Sequence, residues 1–153
     1  MASVDVKITG VEKTQASLTA AFLRSTNFAP LFVKAKAEIS AMNTANFGLG
    51  GLPSGGWAPL DTGYAAWKTT RFPGMPPMVR TGRLLASMTG NSPDSMFSVT
   101  PKSMSIGTKV EYAKFHQYGT TKMPKRKIVF EPTGFAEKYA NDAADWVVDG
   151  QMS

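Results

Sequence analysis

The run IGTKVEYAKFHQYGTTKMPKRKIVF, residues 106–130, constrains this fold more than any other part of the chain. No single element can hold it. Ile106, Gly107 and Thr108 end an extended run. Residues 111–118 read as a short helix, with Tyr112 and Phe115 three apart and His116 one turn after Tyr112. Gly119 suits the position just past a helix end, where left-handed backbone is common. Pro124 interrupts a basic loop, and Ile128, Val129 and Phe130 then return as a β-branched, aromatic strand. Strand, helix, turn, loop and strand in so short a span imply a mixed α and β fold.

The same stretch bounds the chemistry. His116 is the only histidine, and the chain has no cysteine. That excludes disulfides, iron–sulfur clusters and thiolate zinc sites. A lone imidazole without an evident carboxylate partner is more often a buried or interface group, bonded through its ring nitrogens, than a general base. No paired carboxylates, no ligand cluster at metal spacing and no Gly-x-Ser-x-Gly elbow are present. The expectation is a protein that is not an enzyme and carries no cofactor or metal.

The 153 residues suffice for one core, so the chain is read as a single domain over residues 1–153. No run approaches the ~20 apolar residues of a membrane span, and residues 1–10 lack the order of a signal peptide. Val4, Val6 and Ile8 alternate with polar residues, which predicts a half-buried strand closed by Gly10. Residues 11–24 follow as a helix, with Leu18, Ala21 and Phe22 on one side. Asn27 is placed to cap a second, longer helix with Pro30 in its first turn. Phe28, Phe32, Ala35, Ile39 and Met42 form its expected apolar stripe.

A loop at residues 47–59 carries five glycines and two prolines. It lacks the Gly-Lys-Ser/Thr of a phosphate-binding loop. Trp57 near its end is an anchor, into the core or into a neighbour. Asp61 or Thr62 caps a short helix reaching Lys68. Three prolines between Arg71 and Met78 forbid regular structure there. Thr81 is placed to cap a helix at residues 82–88. Met96, Phe97 and Val99, then Met104 and Ile106, read as two strands joined across Pro101 and Lys102, with 128–130 completing a small sheet. Thr133 caps the last helix, whose stripe is Phe135, Tyr139, Ala143, Trp146 and Val147, with Gly150 ending it. Glu137, Asp142, Asp145 and Asp149 form its opposite, acidic side.

The net charge of +6 is unevenly spread. Residues 62–127 hold eleven bases against two acids, a net +9, and residues 128–153 hold one base against five acids, a net −4. Such asymmetry steers a chain towards nucleic acid or towards copies of itself. Lys122, Lys125, Arg126 and Lys127 suit non-specific, salt-sensitive phosphate contact. No base-reading motif or interleaved stacking aromatics accompany them.

Several motifs occur in a fixed order: Trp57-x-Pro59-Leu60, Arg80-Thr81-Gly82-Arg83-Leu84-x-x-Ser87, Ile106-Gly107-Thr108, Tyr112-Ala113-x-x-His116-Gln117-x-Gly119 and Met123-Pro124-x-Arg126. This order resembles the neck and tail-completion proteins of long-tailed bacteriophages, including the virion-morphogenesis proteins of Mu-like phages. The resemblance spans residues 57–149. Where that family usually continues Pro-Phe after its Pro-x-Arg, this chain has Lys127-Ile128.

The resemblance implies an α+β fold, a small curved antiparallel sheet packed against a long helix, with a C-terminal helix and long Gly/Pro-rich loops. It implies a structural virion protein forming a ring, commonly of six copies, at the head–tail junction. Its partners would be a head-closure or connector protein and a tail terminator or tail tube protein, with possible non-specific contact to packaged DNA and none to membrane. The location implied is the virion, after assembly in the host cytoplasm. Trp57, Thr81, Gly82, Leu84, Tyr112, His116, Gln117 and Gly119 are then the interface or structural set. Lys122, Lys125, Arg126 and Lys127 face the DNA channel or an adjacent ring. A tail terminator of the same junction, or a stand-alone basic DNA-binding protein, are the alternatives.

Overall fold

The computed structural model describes residues 10–152, so the strand expected at Val4, Val6 and Ile8 lies outside the described residues. Within them are six α-helices and one two-stranded antiparallel sheet, an α+β fold. The order is α1 (Val11–Ser25), α2 (Ala29–Gly48), a 3-10 turn (Leu52–Ser54), α3 (Thr62–Arg71), α4 (Arg83–Met88), β1 (Ser95–Val99), β2 (Met104–Thr108), α5 (Ala113–Tyr118) and α6 (Phe135–Asp149).

The hairpin forms where alternation predicts it. Ser95 pairs with Thr108 and Val99 with Met104, so Phe97, Val99, Met104 and Ile106 share the half-buried face. The segment 128–130 does not join this sheet, contrary to expectation; its partners are side chains, described below.

Helix α2 packs on β1, α4 and α6. Its buried line is Leu31, Ala35, Asn43, Asn46 and Phe47, offset from the stripe expected along Phe28, Phe32, Ala35, Ile39 and Met42. Periodicity misses this face because two of its residues are amides. Asn43 Nδ2 donates to the Met88 carbonyl at 2.9 Å and Asn46 Nδ2 to the Lys127 carbonyl at 3.2 Å. Each buried Nδ2 is thereby bonded, while Asn46 Oδ1 is buried without a partner among the described residues.

Two helix starts share one correction. Thr81 and Thr133 do not occupy the capping position; the glycine after each does, Gly82 and Gly134, both at φ 77°. The Thr81 hydroxyl stands 3.5 Å from the Arg83 N–H. Asp61, by contrast, caps α3 as expected, accepting the Tyr64 N–H at 3.0 Å. Asn27 accepts the Ala29 N–H at 3.1 Å, one residue ahead of the geometric cap, Phe28.

The core gathers Phe47, Val79, Leu84, Met88, Val110, Ala113 and Ile128, with Trp57, Met78 and Leu85 against it. Fully burying a side chain such as Phe47 or Ile128 contributes about 1.5–3 kcal/mol. Helix α1 lies against α6 and buries no side chain of its own; Leu18 and Phe22 are each 67% exposed. On α6 the half-buried stripe is as expected, but Asp142 lies inside, ion-paired to Lys34 at 3.2 Å. Its place between Tyr139 and Ala143 puts it on the inward face, not with the solvated acids.

Candidate docking cleft

Residues 126–129 run without a neighbouring strand, and the backbone bends at Ile128 and Val129. Gln117 takes the strand's place. Its Oε1 accepts the N–H groups of Ile128 and Val129, each at 2.9 Å, and its Nε2 donates to the Val129 carbonyl at 2.9 Å. On the other side Trp57 Nε1 donates to the Lys127 carbonyl at 2.8 Å, which Asn46 and Ser54 also approach at 3.2 Å. The Arg126 N–H donates to the His116 carbonyl at 2.7 Å. Side chains thus satisfy the backbone that a sheet would otherwise have to satisfy.

Trp57 is anchored in its own chain. Its ring meets Phe47 edge-on at 5.3 Å, and a Cβ on Gly51 would lie 2.2 Å from it. Gly119 is needed for a different reason from the one the sequence suggests. Its backbone, at φ 76° and ψ 177°, is not the left-handed helical cap but a conformation essentially limited to glycine. A Cβ there would meet the Lys125 nitrogen at 3.0 Å.

In front of this clamp opens a cleft of about 460 Å³. Thr81, Gly82, Leu84, Tyr112 and His116 line it, from segments distant in sequence. Leu60, Met78, Met123 and Pro124 supply apolar wall. Arg80, Arg83, Lys122 and Arg126 bring positive charge and Asp61 one carboxylate. Arg83 is paired to Asp94, its Nε and Nη2 donating at 2.6 and 3.0 Å. That bond and charge hold the Asp94 carboxyl below its ordinary value and the guanidinium above its own.

The four basic-loop residues do not act as one patch. Lys122, Lys125 and Lys127 are exposed, whereas Arg126 is 5% exposed. Its Nε and Nη2 donate to the carbonyls of Ala58 and Pro59 at 3.0 and 2.8 Å. Burial lowers its pKa, yet a guanidinium keeps its proton in a protein. It therefore ties the 58–59 loop to the clamp and is withdrawn from any DNA-facing surface of the subunit.

His116 is half-buried, edge-on to Tyr112 at 6.0 Å between ring centroids. Its Nδ1 is buried without a hydrogen-bond partner among the described residues. Burial first, and then the Arg126 charge, pushes its pKa below the ordinary value, so the ring is neutral at pH 7. No carboxylate orients it, and no group of three or more potential metal ligands occurs among the described residues. The arrangement is suited to packing and binding.

Sequence reasoning missed Lys68. It is buried, and its Nζ donates to the Met75 and Pro76 carbonyls, each at 2.7 Å. Burial lowers its pKa. This ammonium pins the proline-rich loop that forms one side of the cleft. Its helical context hid it, because a lysine followed by Thr69, Thr70 and Arg71 reads as surface.

The chain belongs to the phage virion morphogenesis family, whose family model matches residues 6–141. Neither a curated protein nor a solved structure gives a significant match. Membership places its role in the structure or assembly of a phage particle. No helix among the described residues is long and apolar enough to cross a membrane.

Proposed function

We propose that this chain is a subunit of a ring, of six copies, at the head–tail junction, joining the head connector to the tail around the DNA channel. One observation carries the reading: the subunit alone is under-buried. It exposes 10446 Å², where a compact monomer of its 16.4 kDa exposes about 7,500 Å². The ten residues outside the described range account for at most about 1,600 Å² of the excess, even fully extended.

The exposed surface includes large apolar groups. Leu18, Phe22 and Leu23 on α1 and Phe115 and Tyr118 on α5 are all exposed, Tyr118 by 78%. Apolar and aromatic groups in such number suit burial between subunits. The unlike-charged regions suit a head-to-tail contact that closes into a ring. A stand-alone DNA-binding role has less support, because the withdrawal of Arg126 leaves three lysines on the basic loop.

The test is genetic and compositional. Deleting the gene from the phage should leave filled heads and complete tails that fail to join, and intact virions should contain the chain at the junction. Joined, infectious particles without the chain would refute the proposal. A ring at the tail's end, found on tails assembled without heads, would instead assign the tail-terminator role.

A further inference from the structure

The cleft and the C-terminal end of α6 are complementary. The cleft has an apolar wall with Arg80 and Lys122 on its lining. Neither of these cations enters an ion pair among the described residues. Helix α6 ends in Val148, 66% exposed, and Asp149; Gly150 then turns the chain at φ 72°, and Met152 follows, 38% exposed. The last turn of α6 carries no base. Acids near a helix C-terminus oppose the helix dipole, by roughly 0.3–1 kcal/mol each at the surface. Arg24 relieves part of this by donating to the Val147 and Val148 carbonyls at 3.0 and 2.6 Å. Asp149 itself is exposed.

We propose that the cleft receives residues 148–152 from a second copy of the chain. Val148 and Met152 cover the apolar wall, and Asp149 pairs with Arg80 and Lys122. Helix α6 packs on α1 and α2, while the cleft is built by other segments. The two surfaces therefore join unlike faces of neighbouring subunits, as a closed ring requires. A phosphate backbone would leave the apolar wall of Leu60, Met78, Leu84 and Met123 uncovered, so DNA is the poorer occupant. This inference rests on the ring reading and names the contact that builds the ring.

The absence of cysteine from the chain makes the test clean. Two full-length versions, Met123→Cys and Met152→Cys, are co-expressed during infection by phage lacking the gene, and virions are purified and oxidised. A disulfide-linked dimer joining the two versions is expected, and each version alone should give none. Gln15→Cys, on the exposed side of α1, replaces Met152→Cys as the control. Virions that contain both versions but give no more dimer than the control overturn the docking contact and leave the ring reading standing. Virions lacking the chain overturn both.

Charge exchange supplies the second arm. Arg80→Glu and Asp149→Lys should each lower the phage titre at least about tenfold, and together restore it. A combined variant no better than either single one, with all three folded by circular dichroism, overturns the pairing.

Discussion

The Gln117 side chain accepts the Ile128 backbone N–H at 2.9 Å and so stands in for a missing strand. The same amide closes both hydrogen-bonding groups of Val129. A hydrophobic side chain there would leave two donors and one acceptor open beside the buried Ile128.

Gln117→Leu should therefore cost about 2–3 kcal/mol, the penalty of stranding partly buried backbone groups. Urea denaturation measures the loss. Amide exchange at Ile128 and Val129 should accelerate before that of the α2 core. Unchanged exchange at both amides would show that the clamp carries no load.

This amide also explains how far the fold was legible. Ile128, Val129 and Phe130 have strand composition, yet the backbone bends at Ile128 and Val129 and a side chain, not a strand, is the partner. Composition reports what a segment prefers, whereas a side chain twelve residues away decides what it pairs with. The hairpin and the Asp61 cap were legible because alternation and capping are local. The Thr-Gly caps were not, because glycine's positive φ moves the helix start by one residue. The motifs around Arg80 and His116 marked the cleft, but the different fates of Arg126 and its lysine neighbours required the fold. Four cationic positions of one loop look equivalent until one of them finds two carbonyls.

Gly50 and Gly51 offer a paired test of backbone and steric terms. Both have positive φ, 62° and 83°, but only Gly51 lies under the Trp57 ring. Gly50→Ala should cost about 1–2 kcal/mol for the backbone alone. Gly51→Ala should cost a further 1–3 kcal/mol or so for overpacking. In a Trp57→Ala background the extra cost should vanish, a non-additivity that a double-mutant cycle reads directly.

His116 gives a pH dependence of defined sign. Its folded pKa lies below the ordinary 6.5, chiefly through burial. Between the two values the unfolded chain holds the additional proton, so stability rises with pH across that window. The penalty is absent above the unfolded value, grows as pH falls through it and levels off below the folded value. Asp94 acts in a lower window: its depressed pKa contributes stability above the usual carboxylate value, lost as pH falls through the folded one. Thermal melts from pH 7.5 to 5 should show a falling midpoint, with a shallower slope in His116→Gln. Identical slopes would remove His116 as the cause.

The basic loop yields a prediction that separates charge from structure. Arg126 holds the Ala58 and Pro59 carbonyls beside Trp57, so its loss opens the clamp and the cleft floor together. Arg126→Ala should cost about 2–4 kcal/mol, because charge-assisted hydrogen bonds are lost and partly buried carbonyls are left open. Replacing Lys122, Lys125 and Lys127 together by alanine should move stability by no more than about 0.5 kcal/mol per site, as for exposed positions without special contacts. The triple variant should instead weaken the protein's interactions with acidic surfaces, in a salt-dependent way. Denaturation curves and salt-titrated assembly, run on both variants, separate the two effects. An Arg126→Ala protein as stable as the parent would return that residue to the surface group to which its neighbours in sequence assign it.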